Sequence, residues 1–272
     1  MTAADPDAIA AEVLAASARR MPIEPFSRRI PGFDLAFAYR VTAALRRARM
    51  ARGERPVGRK IGFTNRNIWP EYGVYAPIWG DMYDSTLCAL ADTDGTLALA
   101  PLLEPRIEPE IAFGFAQAPQ QGMTDAEILA CIGWVAHGFE IVQSIFPRWQ
   151  FTAPDTVAAY ALHGAYRLGR RQAIAAEDRP RWLEMLRSFE VELCRDGGVV
   201  DLGKATNVLE GPLSTIAHLL DVLAGDPSNP PLGAGEIVTT GTLTRAFPVA
   251  PGEHWETRLH GLALEGLSLR FT

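Results

Sequence analysis

Apolar residues recur at helical spacing through the first fifth of the chain, then switch to alternation and short continuous runs. Residues 7–20 (DAIAAEVLAASARR) carry the pattern of a short Ala-rich helix. Pro22, Pro25, Pro31 and Gly32 break it. Asp34 then offers an N-cap to a second helix through Phe37, Tyr39, Val41 and Leu45, which frays at Gly53. Residues 107–115 alternate and then turn wholly apolar, as a strand does on entering a core. Thr124-Asp125-Ala126-Glu127 is a capping box that opens a helix with Ile128, Ile132 and Val135 on one face. Gly138 ends that helix, and Phe139-Glu140-Ile141-Val142 follows as a strand. Residues 187–195 alternate again, and Asp196-Gly197-Gly198 reads as a hairpin turn. Pro212 opens a helix carrying Ile216, Leu219, Leu220 and Leu223, and Gly225 stops it. Strands at 236–242, 255–260 and 267–271 follow, with a turn at Pro251-Gly252.

This order lacks the regular βαβ rhythm of a doubly wound sheet. It predicts an α+β fold, with a helical N-terminal region over 1–70 and a β-rich core over 71–272 forming one structural unit around a curved or barrel-like sheet. No internal repeat interrupts it, and the Pro-rich loop 226–232 is the one biased segment. At 272 residues, with 48% apolar and 21% charged residues, the chain is long enough to bury a substantial core. A net charge of −6 argues against a nucleic-acid partner, which would want a basic surface. Asp5, Asp7, Glu12, Arg19 and Arg20 interrupt any signal-peptide core, and no run reaches membrane-spanning length, so no membrane partner is expected. Cys88, Cys131 and Cys194 are odd in number and unpaired in spacing; they read as reduced thiols of a cytoplasmic protein.

Charge changes the picture most through lysine. Lys60 and Lys204 stand against 24 arginines, and Lys60 sits in Gly58-Arg59-Lys60-Ile61-Gly62. A lysine kept in such a chain suits work that Arg cannot do, because burial lowers an ammonium's pKa and lets it exchange a proton. The bland alternative is a surface turn. Further on, Glu108 and Glu110 flank Pro109 on a predicted strand, and residues two apart point to one face, roughly 7 Å apart at Cα. Two carboxylates on a partly buried face need a proton or a bridging cation, and oxygen-only ligation selects Mg²⁺ or Mn²⁺ over zinc. Glu190 and Glu192 have the same spacing and serve as the chain's own control, on a face expected to be solvated. Glu140, in an otherwise apolar run, is either the third ligand or a strand-edge acid paired to an arginine. Lys204 reads as a loop residue. The five histidines show no metal-ligand spacing, and GxSxG, Walker, GxGxxG and HExxH motifs are absent.

Taken together, Gly58-Arg59-Lys60-Ile61-Gly62-Phe63-Thr64, Pro105-Arg106-Ile107-Glu108-Pro109-Glu110-Ile111-Ala112-Phe113, Phe139-Glu140-Ile141-Val142-Gln143-Ser144, Thr239-Thr240-Gly241 and Pro248-Val249-Ala250-Pro251-Gly252-Glu253 resemble the hydratase/decarboxylase branch of the fumarylacetoacetate hydrolase superfamily. The resemblance spans nearly the whole chain. It implies a mixed β-sandwich or roll, assembled as a homo-oligomer, with Glu108, Glu110 and Glu140 as metal carboxylates and Lys60 as the active-site lysine. It also implies a Mg²⁺- or Mn²⁺-dependent lyase on an unsaturated 2-oxo acid of aromatic catabolism. A hydratase of the 2-oxopent-4-enoate type comes first, with a decarboxylase of the 4-oxalocrotonate type as the alternative. A non-catalytic member that binds a 2-oxo acid or assembles with an active partner is a third reading, and acylpyruvate hydrolysis a fourth that lacks a visible His-Glu pair. The chain departs from the family pattern where substrate is chosen: Pro77-Ile78-Trp79-Gly80 replaces a segment that carries Asp in hydratases, and Ala158-Ala159-Tyr160-Ala161-Leu162-His163 has lost its polar residues. Ile78, Leu162, His163 and Thr240 are therefore the expected substrate-side residues. His163 is either a replacement acid/base or a packed side chain, and packing is the favoured role.

Overall fold

The computed structural model describes residues 4–272. The helices are α1 (Pro6–Arg19), α2 (Phe26–Arg29), α3 (Leu35–Ala51), α4 (Trp69–Tyr72), α5 (Asp125–Cys131), α6 (Ala153–Ala158), α7 (Arg179–Ser188) and α8 (Pro212–Ala224). The strands are β1 (Pro56–Gly62), β2 (Ile78–Tyr83), β3 (Leu87–Ala89), β4 (Thr96–Leu97), β5 (Arg106–Phe115), β6 (Ile132–Val142), β7 (His163–Leu168) and β8 (Gln172–Ala173), followed by β9 (Glu190–Arg195), β10 (Gly198–Lys204), β11 (Ile237–Thr239), β12 (Phe247–Pro248), β13 (His254–His260) and β14 (Ser268–Phe271).

A nine-stranded sheet runs in the order β2-β1-β11-β5-β6-β7-β3, with β12 on β5 and β8 on β6. A five-stranded sheet, β10-β9-β13-β14-β4, packs against it. Both sheets mix parallel and antiparallel pairs, and β11 lies parallel to β1 but antiparallel to β5. This is the α+β architecture that the sequence predicts. The first seventy residues are not wholly helical, however. Helix stops at Ala51, and β1 enters the large sheet, with Ile61 in the helix-covered core and Val57, beyond a bulge at Pro56–Gly58, against the inner-face cluster.

The two faces of the large sheet differ in kind. One is covered by α5, α7 and α8, and its core joins Ile61, Ile111, Phe113, Val135 and Val238 to Ile128, Leu186, Ile216 and Leu219. Nearer the five-stranded sheet, Ile107, Phe139 and Ile141 pack on Leu193, Trp255 and Leu269. The inner face carries smaller side chains, with Ala112, Ala136, Met82, Ile237 and Tyr166 clustered there. A third core lies under α1 and α3, where Val13, Val41 and Leu45 meet Phe26, Phe146 and the 157–162 segment. Asp34 caps α3 by accepting from the Phe37 amide, and Thr124 and Glu127 form the expected capping box of α5.

That helix is shorter than its pattern predicts. It ends at Cys131, and Ile132 to Gly138 belong to β6 instead. Ile132, Trp134 and Val135 are β-branched or aromatic, and pairing with β5 on one side and β8 on the other decides between two patterns that local sequence leaves balanced.

Candidate metal centre

Alternation along β1 sends Arg59 and Ile61 to one side and Lys60 to the other. Ile61 joins the helix-covered core, while the buried Arg59 guanidinium donates to Glu236 Oε2 at 2.8 Å. Lys60 enters the inner face, where the same period-two rule brings Glu108 and Glu110 from β5 and Glu140 from β6. Glu108 and Glu140 are directly opposite each other, and Glu110 faces Gly138. One oxygen from each of the three carboxylates lies within 4.8 Å of the others. All three side chains and Lys60 are buried. Lys60 Nζ lies 3.1 Å from Glu140 Oε2 and donates to the Ala161 carbonyl at 3.0 Å. By contrast, Glu190 and Glu192 sit toward solvent and pair with Lys204, Arg258 and His260.

Three buried carboxylates against one ammonium make a cluster that cannot hold all its charges without help. Burial drives the Glu108 carboxyl up to about 7, with Lys60 pulling against it and Glu140 adding to it. Burial and then the Glu140 charge raise Glu110 well above the carboxylate range. Glu140 goes the other way: burial pushes it up, but Lys60 and a hydrogen bond from His163 hold it below its ordinary value. Lys60 also departs from the expectation for a buried lysine. Burial lowers it, yet Glu140, Glu108 and Glu110 together pull it above its ordinary value. It is an ammonium. Beyond the carboxyl of Glu140 beside it, the Glu110 carboxyl has no hydrogen-bond partner among the described residues, and Tyr166 Oη and Thr239 Oγ1 have none. Carboxyl oxygens at this spacing, with no nitrogen or sulfur ligand among them, fit a hard divalent cation that would displace their protons.

Beside the carboxylates is a small cavity of about 20 Å³ lined by Lys60, Glu108, Phe63, Tyr72, Trp149 and Leu162. That is room for about one water. Three of its walls, Phe63, Trp149 and Leu162, have left-handed backbone (φ 55°, 56° and 65°), a conformation that is costly for bulky residues. Tyr160 and Ala161 share it, so the 160–162 turn is tightly wound where it aims the Ala161 carbonyl at Lys60.

The remaining residues expected on the substrate side divide. Leu162 lines the cavity. Ile78, 2% exposed, is opposite Gly62 and closes the wall behind it. Thr240 turns its hydroxyl away, donating to the Ile111 carbonyl. His163 does more than pack: its Nδ1–H donates to Glu140 Oε1 at 2.7 Å, and Nε2 lies 2.9 Å from Thr86 Oγ1. Sequence reasoning did not single out Phe63, Tyr72, Trp149, His137 or Tyr166. His137, directly opposite Ile111, donates from Nδ1 to the Glu110 carbonyl at 2.8 Å, and burial lowers its ring to about 4. The aromatic cluster in Phe146-Pro147-Arg148-Trp149-Gln150-Phe151 was the available signal for Trp149.

No protein-family model matches the chain. It is 30% identical over 254 residues to the 2-hydroxyhexa-2,4-dienoate hydratase of Comamonas testosteroni, covering 92% of this chain and 91% of that one. Among solved structures it is similar to the 4-oxalocrotonate decarboxylase of Pseudomonas putida G7, complexed with magnesium and adipate. There the TM-score is 0.85 at 30% identity, over 98% of this chain and 97% of the other. A putative fumarylacetoacetate isomerase/hydrolase from Oleispira antarctica, 16% identical, shares the fold with a TM-score of 0.59 over 80% of this chain and 95% of that one.

Proposed function

The chain belongs to the hydratase/decarboxylase branch of the fumarylacetoacetate hydrolase superfamily, and from that premise we propose that it is a divalent-metal-dependent lyase acting on an unsaturated 2-oxo acid. The observation that carries this reading is the charge of the inner face. Glu108, Glu110 and Glu140 converge there with Lys60 as the one ammonium within contact of them among the described residues. Glu108, Glu110 and Glu140 are the residues that would hold Mg²⁺ or Mn²⁺. Bound there, the cation supplies a Lewis acid to the carboxylate and 2-oxo oxygens of the substrate.

What the chain does around that centre follows from its side chains. His163 fixes one oxygen of Glu140, and Lys60 faces the other. The three carboxylates keep a proton on Lys60 Nζ, and the Ala161 carbonyl aims it toward the cavity. Lys60 is thus set to act first as a proton or hydrogen-bond donor to the reacting substrate. Phe63, Tyr72, Trp149 and Leu162 exclude bulk water, so charge developing on the substrate is felt strongly by Lys60. A cavity of this size must open for a substrate of six carbons.

Hydration is the first reading: water adds to a 2-hydroxydienoate after Lys60 helps protonate the chain. The second reading, decarboxylation of a 2-oxohexenedioate, rests on Ile78, an apolar residue where an acid/base carboxylate would serve a hydratase. Thr240, turned to Ile111, contributes support to the turn rather than substrate contact. The three free cysteines fit a reducing cytoplasm, and we read the working form as a homo-oligomer. Incubation with Mg²⁺ and a panel of 2-hydroxydienoates and 2-oxohex-3-enedioate, followed by NMR, tests the proposal. A hydroxylated 2-oxo acid establishes hydration, and CO₂ with a shortened chain establishes decarboxylation. Metal-dependent binding with no turnover and no exchange of substrate protons would overturn the enzyme reading in favour of a binding member.

A further inference from the structure

Tyr166 stands directly opposite Glu140, one strand beyond it on β7. Its ring does not stay over its own strand. A Cβ at Gly138 would lie 2.1 Å from Tyr166 Oη and 2.3 Å from Cε1 and Cζ, so the ring crosses β6 in the gap that Gly138 leaves. Gly138 in turn faces Glu110 on β5. The phenol thus reaches over β6, and its hydroxyl lies over Gly138, the residue paired with Glu110. The ring is wholly buried among Met82, Ala112, Ala136, Leu168 and Ile237.

At that point Tyr166 Oη is without a partner among the described residues, and the Glu110 carboxyl has none there but the neighbouring carboxyl of Glu140. An orphaned buried hydroxyl is destabilising, and phenylalanine would fill the same space without that cost. The buried phenol can act toward an anionic carboxylate only as a donor. Gly138 is the matching concession on the neighbouring strand, since any side chain there would close the passage.

We propose that Tyr166 is a positioning residue of the metal centre, whose hydroxyl, unpaired in this structure, donates to the Glu110 carboxylate when the cation is bound and fixes the oxygen that faces it. This rests on the reading of Glu108, Glu110 and Glu140 as metal carboxylates. Hydrogen-bonded support of this kind orients a ligand, and its removal typically weakens metal binding by about 10–100-fold.

The test is Mg²⁺ and Mn²⁺ binding to the full chain by calorimetry, with the melting temperature of the metal-free protein measured alongside. Glu110→Gln should abolish binding. Tyr166→Phe should weaken it by about 10–100-fold while leaving the metal-free melting temperature equal or higher. A residue that merely fills space would not separate those two readouts. Tyr166→Phe binding metal within twofold of the natural chain, while Glu110→Gln does not bind, would overturn the role of Tyr166 and leave the metal centre intact. Equal binding by all three would overturn the metal centre itself. Should the phenylalanine variant fail to fold, 3-fluorotyrosine placed at position 166 keeps the shape and strengthens the donor. Tighter metal binding is then expected, and unchanged binding overturns the inference.

Discussion

At the scale of single residues, the site is a contest between burial and charge. Glu108→Gln should lower Mg²⁺ affinity by at least the roughly 100-fold seen for the larger outer-sphere losses, whereas Glu190→Gln, at the same spacing on an ion-paired exposed strand, should change nothing. Equal effects in calorimetry would refute the ligand assignment. Lys60→Met should cut kcat by about 10²–10⁴-fold while metal still binds, and the metal-free protein should melt lower because three carboxylates lose their counter-charge. Full activity would make Lys60 structural. A strand's period of two and an apolar run marked Glu108, Glu110 and Glu140 as candidate buried acids, and rarity marked Lys60, but only the resemblance joined the four into one site. The hydrogen bond from His163 to Glu140 and the reach of Tyr166 across Gly138 were not. Both depend on the register of β6 against β7, which no local spacing encodes.

Between elements, the site is held by close approaches that only glycine permits. Gly80 on β2 pairs with Lys60, and a Cβ there would lie 2.7 Å from the Tyr160 carbonyl oxygen and 2.8 Å from its carbon. Gly80→Ala should therefore push the 160–162 turn away from β2 and pull the Ala161 carbonyl off Lys60. The expected cost is about 1–3 kcal/mol in urea unfolding, together with lost turnover at unchanged metal affinity. An unaltered denaturation midpoint would show that the turn yields freely. Helices α1, α3 and α8 were readable from caps and breakers, as was the β9–β10 hairpin from Asp196-Gly197-Gly198. The first half of β6 was misread as helix, since Ile128, Ile132 and Val135 satisfy helical spacing. Pairing with β5 and β8 over-rides that local preference. It matters to function, because a helix ending at Gly138 would leave nothing opposite Glu110 for Tyr166 to cross.

For the whole molecule, the centre couples stability to pH and to metal in opposite senses. Glu108, raised to about 7, and Glu110, raised further, bind protons more tightly in the folded chain than in the unfolded one. Metal-free stability from these groups is therefore complete below the unfolded carboxyl range, near pH 4.5, and is lost as pH climbs through about 7. Glu140, held low, works against this only at more acid pH. Metal must displace those same protons, so Mg²⁺ affinity should tighten from pH 6 to 8, by up to about tenfold per pH unit for each proton released. Thermal melts with and without Mg²⁺ across that range should diverge as pH rises, and parallel curves would refute the coupling. The order of strands in the large sheet also bears on how the protein is made. Glu108, Glu110 and Glu140 lie on consecutive strands, but β1 reaches them only through β11, which is wedged between β1 and β5. At roughly 5–20 residues per second, about ten to thirty-five seconds of translation separate β1 from β11. A nascent chain can bring its acids together long before its lysine can join them. Lys60 is therefore expected to reach its place beside the acids only after residues 237–239 have emerged.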